Sequence, residues 1–246
     1  MAKPFSPTAR NLFCGCCLEE QKPVVSSLEA ALVIIVTFFV FLFIGAFLLY
    51  TVGEAPTLVA GELLILIVPL IYLISKRIGI KSYVKLDLNP KYIVIGIGCG
   101  ALLLLLNLVV SNGLTAILGQ SQAVQQSNDT ISTLSATSGG FAAVAASLIL
   151  AGICEEFAFR GFLQNSLFKS LHVNPKYSKY AFPIALVISA GVFGLFHFDP
   201  QGVYTLSAFI SGLALGGIYY KFNYTTSATA HASMNLMVLG LLLLGF

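Results

Sequence analysis

The sequence predicts an all-α, polytopic transmembrane helix bundle of about seven to eight spans, and three observations predict it. Of the 246 residues, 57% are hydrophobic and only 9% are charged, with a mean hydropathy of +0.91. A soluble domain carries about 25% charged residues, so lipid is the expected solvent. The apolar residues also fall into runs of roughly the 20 residues that a helix needs to cross the hydrocarbon core. Finally, Lys and Arg are almost absent from those runs and cluster between alternate ones, as the cytoplasmic loops of membrane proteins do.

Residues 1–29 read as a polar cytoplasmic tail. Its cluster of Cys14, Cys16 and Cys17 leaves three readings open: a metal site, lipidation near the membrane, or a plain reduced tail. The plain tail is favoured, because no second Cys or His pair lies nearby to complete a zinc tetrahedron. Cys99 and Cys154 sit in apolar segments and read as small packing residues. The first apolar run lacks a small-residue cleavage site and exceeds a signal-peptide core in length, so it reads as a retained span. Seven spans follow, over about residues 30–52, 58–75, 92–118, 141–168, 182–197, 203–220 and 224–245, with no internal repeat. Pro183 suits the first position of the fifth helix. Residues 119–139, rich in Ser, Gln, Asn and Thr, read as a polar outer loop. The chain thus divides into the tail, an N-terminal group of spans with that loop over 30–139, and a C-terminal core over 140–246.

Orientation follows from the basic residues. With seven spans and the N-terminus inside, the inner segments hold twelve of the thirteen Lys and Arg, the outer segments none, and the thirteenth is the intramembrane Arg160. The expected location is therefore a cell membrane, crossed many times, with the N-terminus cytoplasmic and the C-terminus extracytoplasmic. No basic run points to nucleic acid.

Ionisable groups at the bilayer centre cost at least ~2.5–3.5 kcal/mol each and face functional interiors. The fourth span carries Glu155, Glu156 and Arg160. Glu156 and Arg160 stand at i,i+4 and can pair along one face, whereas Glu155 is rotated by about 100° and is left free. His197 closes the fifth span, and His231 and Asn235 share a face of the seventh. Counted at 1.5 Å per residue from the inner edge, Glu155 and His197 lie at about 21 Å and His231 at about 15 Å. Helix tilt absorbs such differences, so the four groups can meet at one level. His172, among Lys169, Lys176 and Lys179, reads as a solvated loop residue; Glu62 reads as a residue near the outer interface and Asn107 as an interhelical hydrogen-bonding group.

Taken singly, an intramembrane His is more often a helix–helix hydrogen-bond partner, and a Glu–Arg pair is structural. The conjunction points to chemistry. A carboxylate with an imidazole can deprotonate water and return the proton to a leaving amine. A second His and an Asn amide can stabilise an oxyanion, worth about 3–4 kcal/mol per donor. That equipment suits peptide-bond hydrolysis. Glu155, His197 and His231 are also a set of zinc-ligand types, so zinc stays open, although the helical His-Glu-x-x-His pattern is absent. No nucleophile elbow, P-loop or dinucleotide-binding glycine pattern is present.

The strings Glu155-Glu156-Phe-Ala-Phe-Arg160, Phe193-Gly-Leu-Phe-His197 and His231-Ala-Ser-Met-Asn235, with the Gly-rich stretch Gly212–Tyr219 before the last, fall in order on successive spans. In this the chain resembles the CPBP family of intramembrane proteases, which takes in CAAX prenyl proteases of the Rce1 type and bacteriocin-processing and immunity proteins. The resemblance covers roughly residues 140–240. It implies a helical bundle with a polar conical cavity and an endopeptidase of glutamic or metallo type. Glu155 would be the general base and His197 its partner. His231 and Asn235 would stabilise the oxyanion, and Arg160 would hold Glu156 and brace the site. No cofactor is expected; if zinc is present, Glu155, His197 and His231 would be its ligands. The implied partners are the bilayer and a peptide or protein substrate, either lipidated, as in CAAX processing, or a peptide such as a bacteriocin precursor. Two other classes compete: a non-enzymatic immunity or scaffold protein keeping the fold, and a proton-coupled transporter. The first three spans are nearly bare of polar groups, which disfavours a continuous transport path.

Overall fold

Local signals set most helix starts. In the computed structural model, which describes residues 25–245, Ser26 and Glu29 form a reciprocal capping box that opens α1 (Ser27–Val52). Gly53, at φ +85°, allows a one-residue turn into α2 (Glu54–Ser75). After the short α3 (Ile80–Tyr83), Asn89 caps α4 (Pro90–Leu118), whose first residue is a proline that needs no N–H partner there. Thr137 caps α6 (Ser138–Glu156), and Asn223 caps α10 (Tyr224–Leu243). Between them run a π-helical stretch (Phe157–Gln164), α7 (Asn165–Val173), α8 (Ala181–Phe196) and α9 (Val203–Lys221).

Seven of these helical segments are long and apolar enough to span a membrane, the fourth being the continuous rod of α6, the π stretch and α7. The outer faces are greasy: Phe43, Phe47 and Val94 are each more than 60% exposed, a surface that water would not tolerate but lipid does. The protein is a multi-pass membrane protein. Successive spans run antiparallel, so the termini with Lys76, Arg77, Lys81, Lys85, Lys91, Lys169, Lys176, Lys179 and Lys221 gather at one end. Glu29 and Lys76, 2.8 Å apart, tie the start of α1 to the end of α2 there.

The centre is built around α10, which packs between α4 and α6. Glycines permit that approach. A Cβ on Gly100 would stand 2.8 Å from the Ala230 carbonyl oxygen, and one on Gly152 would stand 2.5 Å from the Ala232 nitrogen. Small residues at such crossings let backbones touch, which is how helices associate when lipid removes the hydrophobic drive between them.

Three expectations change. Residues 119–139 are not a loop, because α5 (Gln122–Ser135) occupies most of them. Ser121 caps it, no Pro or Gly interrupts it, and Val124, Ile131 and Leu134 recur at helical spacing on an otherwise polar rod. The fifth span begins at Ala181, so Pro183 lies inside the first turn rather than at its first position, still where no backbone partner is needed. The fourth span runs on to Val173, well past the expected 168. Cys14, Cys16 and Cys17 lie outside the described residues.

Candidate active site

The site forms where α6 gives way to the π stretch. Glu155 and Glu156 are the last two residues of α6, and both are buried. Wide π turns recur at functional sites. Here all eight residues of the stretch are buried, and Arg160 within it turns back onto Glu156 at 2.7 Å. The guanidinium also donates to the Gly212 carbonyl at 3.3 Å and lies 4.2 Å from the centre of the Phe193 ring. A fully buried cation is thus met by a carboxylate, a carbonyl and an aromatic face, which offsets its desolvation.

Glu156 has two further donors. The Ser227 hydroxyl bonds to Oε2, and His231 Nδ1 lies 3.1 Å from Oε1. Its carboxylate therefore accepts from two side chains, is ion-paired with a third, and is spoken for. Glu155 faces the other way. Its two oxygens stand 4.0 Å from His197 Nε2 and 3.8 Å from His231 Nε2. The expected meeting of these three groups at one level is what the structure displays, and the division between a paired and a free carboxylate is too.

His197 caps the C-terminus of α8, one residue beyond the helix. Its Nδ1 lies 2.9 Å from the Phe193 carbonyl, which can only accept, so Nδ1 carries the proton and Nε2 of the neutral ring has the lone pair. The turn that follows is organised by Asp199, which accepts from the Gln201 and Tyr204 N–H groups, and by Thr205, whose hydroxyl donates to the His197 carbonyl. Burial works to raise the Asp199 pKa, but the N–H bonds from Tyr204 and Gln201 outweigh it and hold the carboxyl below its ordinary range. Tyr204 meets the His197 ring edge-on at 5.1 Å. Asn235, one turn beyond His231, gives one amide hydrogen to the Leu148 carbonyl at 3.4 Å and keeps another.

A cavity of about 430 Å³ reaches the site. His197, His231 and Asn235 line it together with residues of α4, α5 and α9, in a mixture of polar and apolar groups. Glu155 is not part of that lining. Asn107 lines the cavity as well, and among the described residues its side chain makes no hydrogen bond, contrary to the interhelical role expected of it. Glu62 also departs from expectation: it lies two turns inside α2, with Oε2 buried and unpartnered among the described residues, near enough to Glu155 for their charges to interact. His172 is exposed, as expected, and lies 3.1 Å from Ser178, but it belongs to the last turn of α7 and not to a loop.

For zinc the ring tautomers are suitable, since both Nε2 atoms are free to face Glu155. The spacing is not: among the described residues no three His, Cys, Asp or Glu side chains are arranged to hold one ion. Ser227 and Thr205 escaped sequence reasoning because Ser and Thr are common in membrane helices and only packing gives these particular ones a partner. The motif glycine pattern offered one signal, since Gly212 and Gly216 supply the carbonyls that Arg160 and Gln164 bind.

Residues 137–237 match the family model described as Rce1-like, type II CAAX prenyl endopeptidase Rce1-like. No curated protein and no solved structure matches the chain. The matched segment opens on the cap of α6 and closes two residues past Asn235, so it contains Glu155, Glu156, Arg160, His197, His231 and Asn235. The helical core that carries these six residues is therefore similar in sequence to the Rce1-like CAAX proteases, a family of membrane-embedded peptidases within the CPBP group.

Proposed function

We propose that the protein is an intramembrane endopeptidase in which Glu155 and His197 activate a water to hydrolyse a peptide bond. The observation that carries this reading is the free carboxylate of Glu155, 4.0 and 3.8 Å from two imidazole nitrogens. Those gaps exceed a direct hydrogen bond and suit a bridging water: two bonds of about 2.8 Å meeting near a right angle span about 4 Å. Such a water gives one hydrogen to Glu155 and the other to the lone pair of His197 Nε2, and its oxygen attacks the scissile carbonyl carbon.

As the C–O bond forms, Glu155 takes the proton and the carbonyl oxygen becomes an oxyanion. The spare N–H of Asn235 donates to it. His231 can donate from Nε2 when that atom is protonated, since Nδ1–H is already committed to Glu156; the carboxylate behind the ring stabilises the imidazolium, as the orienting acid does in a catalytic triad. Collapse of the intermediate breaks the C–N bond, and Glu155 returns its proton to the departing amine. Water and peptide are consumed, and an acid and an amine are released. Arg160 holds Glu156 and so the His231 ring. No cofactor enters the scheme. The N-terminus is assigned to the cytoplasm and the C-terminus to the opposite side, from the gathering of Lys and Arg at one end.

The test compares membrane proteomes of cells carrying wild type and Glu155→Gln. Glutamine keeps the shape of the side chain and removes the base, so uncleaved precursors should accumulate at unchanged protein level, with cleavage of any one of them slowed by about 10²–10⁴. A variant that processes such a precursor at the wild-type rate would remove Glu155 from the role.

A further inference from the structure

We infer that the catalytic cavity opens on the membrane face opposite the lysines and arginines, and that the substrate is an uncharged, extended stretch of a secreted or outward-anchored polypeptide. This rests on the protease reading and selects among its substrates, because a prenylated C-terminus of a cytoplasmic protein would approach from the other side.

The direction of the cavity comes from chain topology. The α4 residues that line it, Asn107, Ser111, Asn112 and Thr115, lie in the second half of a helix that starts beside Lys91. From α9 it takes Val203, Tyr204, Ser207, Ala208 and Ser211, in the half remote from Lys221, and Leu215 just beyond the midpoint. From α10 it takes His231 onward to Leu242, and not the first turns near Asn223. The amphipathic α5 adds Val124, Gln125 and Asn128 at the same end. Apart from Leu215 and His231, which form its inner floor, the lining thus comes from the parts of these helices that lie away from the basic loops.

That end has the charge of an extracytoplasmic face. Among the described residues its turns and α5 hold Glu54, Asp129 and Asp199 and no Lys or Arg. The route from the site toward the basic end is filled. Phe159, Arg160, Phe162 and Tyr219 are each at most 2% exposed, and Gln164 is locked to the Gly216 carbonyl at 3.0 Å. Water and substrate therefore reach His197 and His231, the cavity-lining rings beside Glu155, from one side.

The lining speaks to substrate chemistry. It contains no Lys, Arg, Asp or Glu, and its polar groups are carboxamides, hydroxyls and the two catalytic imidazoles. Asn and Gln offer both donors and acceptors, which match the N–H and C=O groups of an extended backbone. A charged side chain entering the cavity would find no opposite charge to offset its desolvation, so it would be rejected.

Two measurements on the full-length chain test the inference. In intact cells, a membrane-impermeant maleimide should label Asn112→Cys and leave Lys81→Cys unlabelled, each read against the wild-type chain, whose own cysteines set the background. In vesicles, an impermeant, internally quenched, unprenylated peptide with an uncharged core should be cleaved at least tenfold faster by right-side-out than by inside-out preparations, and by neither with Glu155→Gln. Labelling of Lys81→Cys instead of Asn112→Cys, or faster cleavage by inside-out vesicles, overturns the inference. The protease reading fails separately, if detergent-solubilised wild type cleaves this peptide and its farnesylated counterpart no faster than Glu155→Gln does.

Discussion

Replacing Arg160 by Leu should destabilise the protein by about 3 kcal/mol, and the structure says why the figure falls there. Removing one partner of a buried ion pair costs about 3–5 kcal/mol, because the other charge is left in low dielectric. Arg160 is 1% exposed and Glu156 is fully buried, so solvent does not relieve the orphan. Yet Glu156 keeps two donors, Ser227 and His231, which places the loss at the lower bound. Leucine also recovers some packing against Phe193. At about 1.4 kcal/mol per tenfold, the folding equilibrium shifts by more than about a hundredfold. The chain has no Trp, so unfolding in mixed detergent–SDS micelles is followed by far-UV circular dichroism. The informative comparison is a double-mutant cycle with Glu156→Gln. Removing both charges should recover at least about 1.5 kcal/mol relative to additivity, within the range seen for residues in one network. A neutral Arg160→Leu, or strictly additive losses, would refute the claim that the pair is a mutually dependent buried unit.

Asn235→Ala removes one oxyanion donor and should lower kcat by about 10²–10³ while KM and melting stay near wild type, because the donor acts mainly in the transition state. A change confined to KM would make Asn235 a substrate-binding residue instead. Elemental analysis of detergent-purified protein should find substoichiometric zinc, with cleavage persisting in strong chelator. About one zinc per chain, lost together with activity and restored by adding zinc, would replace the Glu155–His197 water with a metal-bound one.

The spans were legible because lipid imposes its pattern on composition, in runs of Leu, Ile, Val and Phe, and apart from the inner end of the fourth their ends came within a few residues. Glu155, His197 and His231 were legible for the converse reason, as groups too costly to keep in lipid without use. What escaped was helix without grease and contact without charge. In α5 the apolar stripe of Val124, Ile131 and Leu134 is thin among Ser, Thr, Asn and Gln, so its composition resembles a loop. The π stretch packs Phe159 and Phe162 into the core, and no local periodicity announces it. Ser227 becomes a partner of Glu156 only when α10 is laid against α6, and Glu62 comes near Glu155 only because α2 does the same.

The glycine crossings bear on how the proposed reaction is organised in time. With backbone pressed on backbone along both flanks, α10 has little freedom to rotate or slide, so His231 and Asn235 are aimed before any substrate arrives. Their orientational entropy is lost once, at folding, and not again at each turnover, which is the condition under which positioned groups act at high effective molarity. Any breathing that admits a polypeptide must then come from α5 and the turn after His197, at the rim, while the interior stays a fixed template.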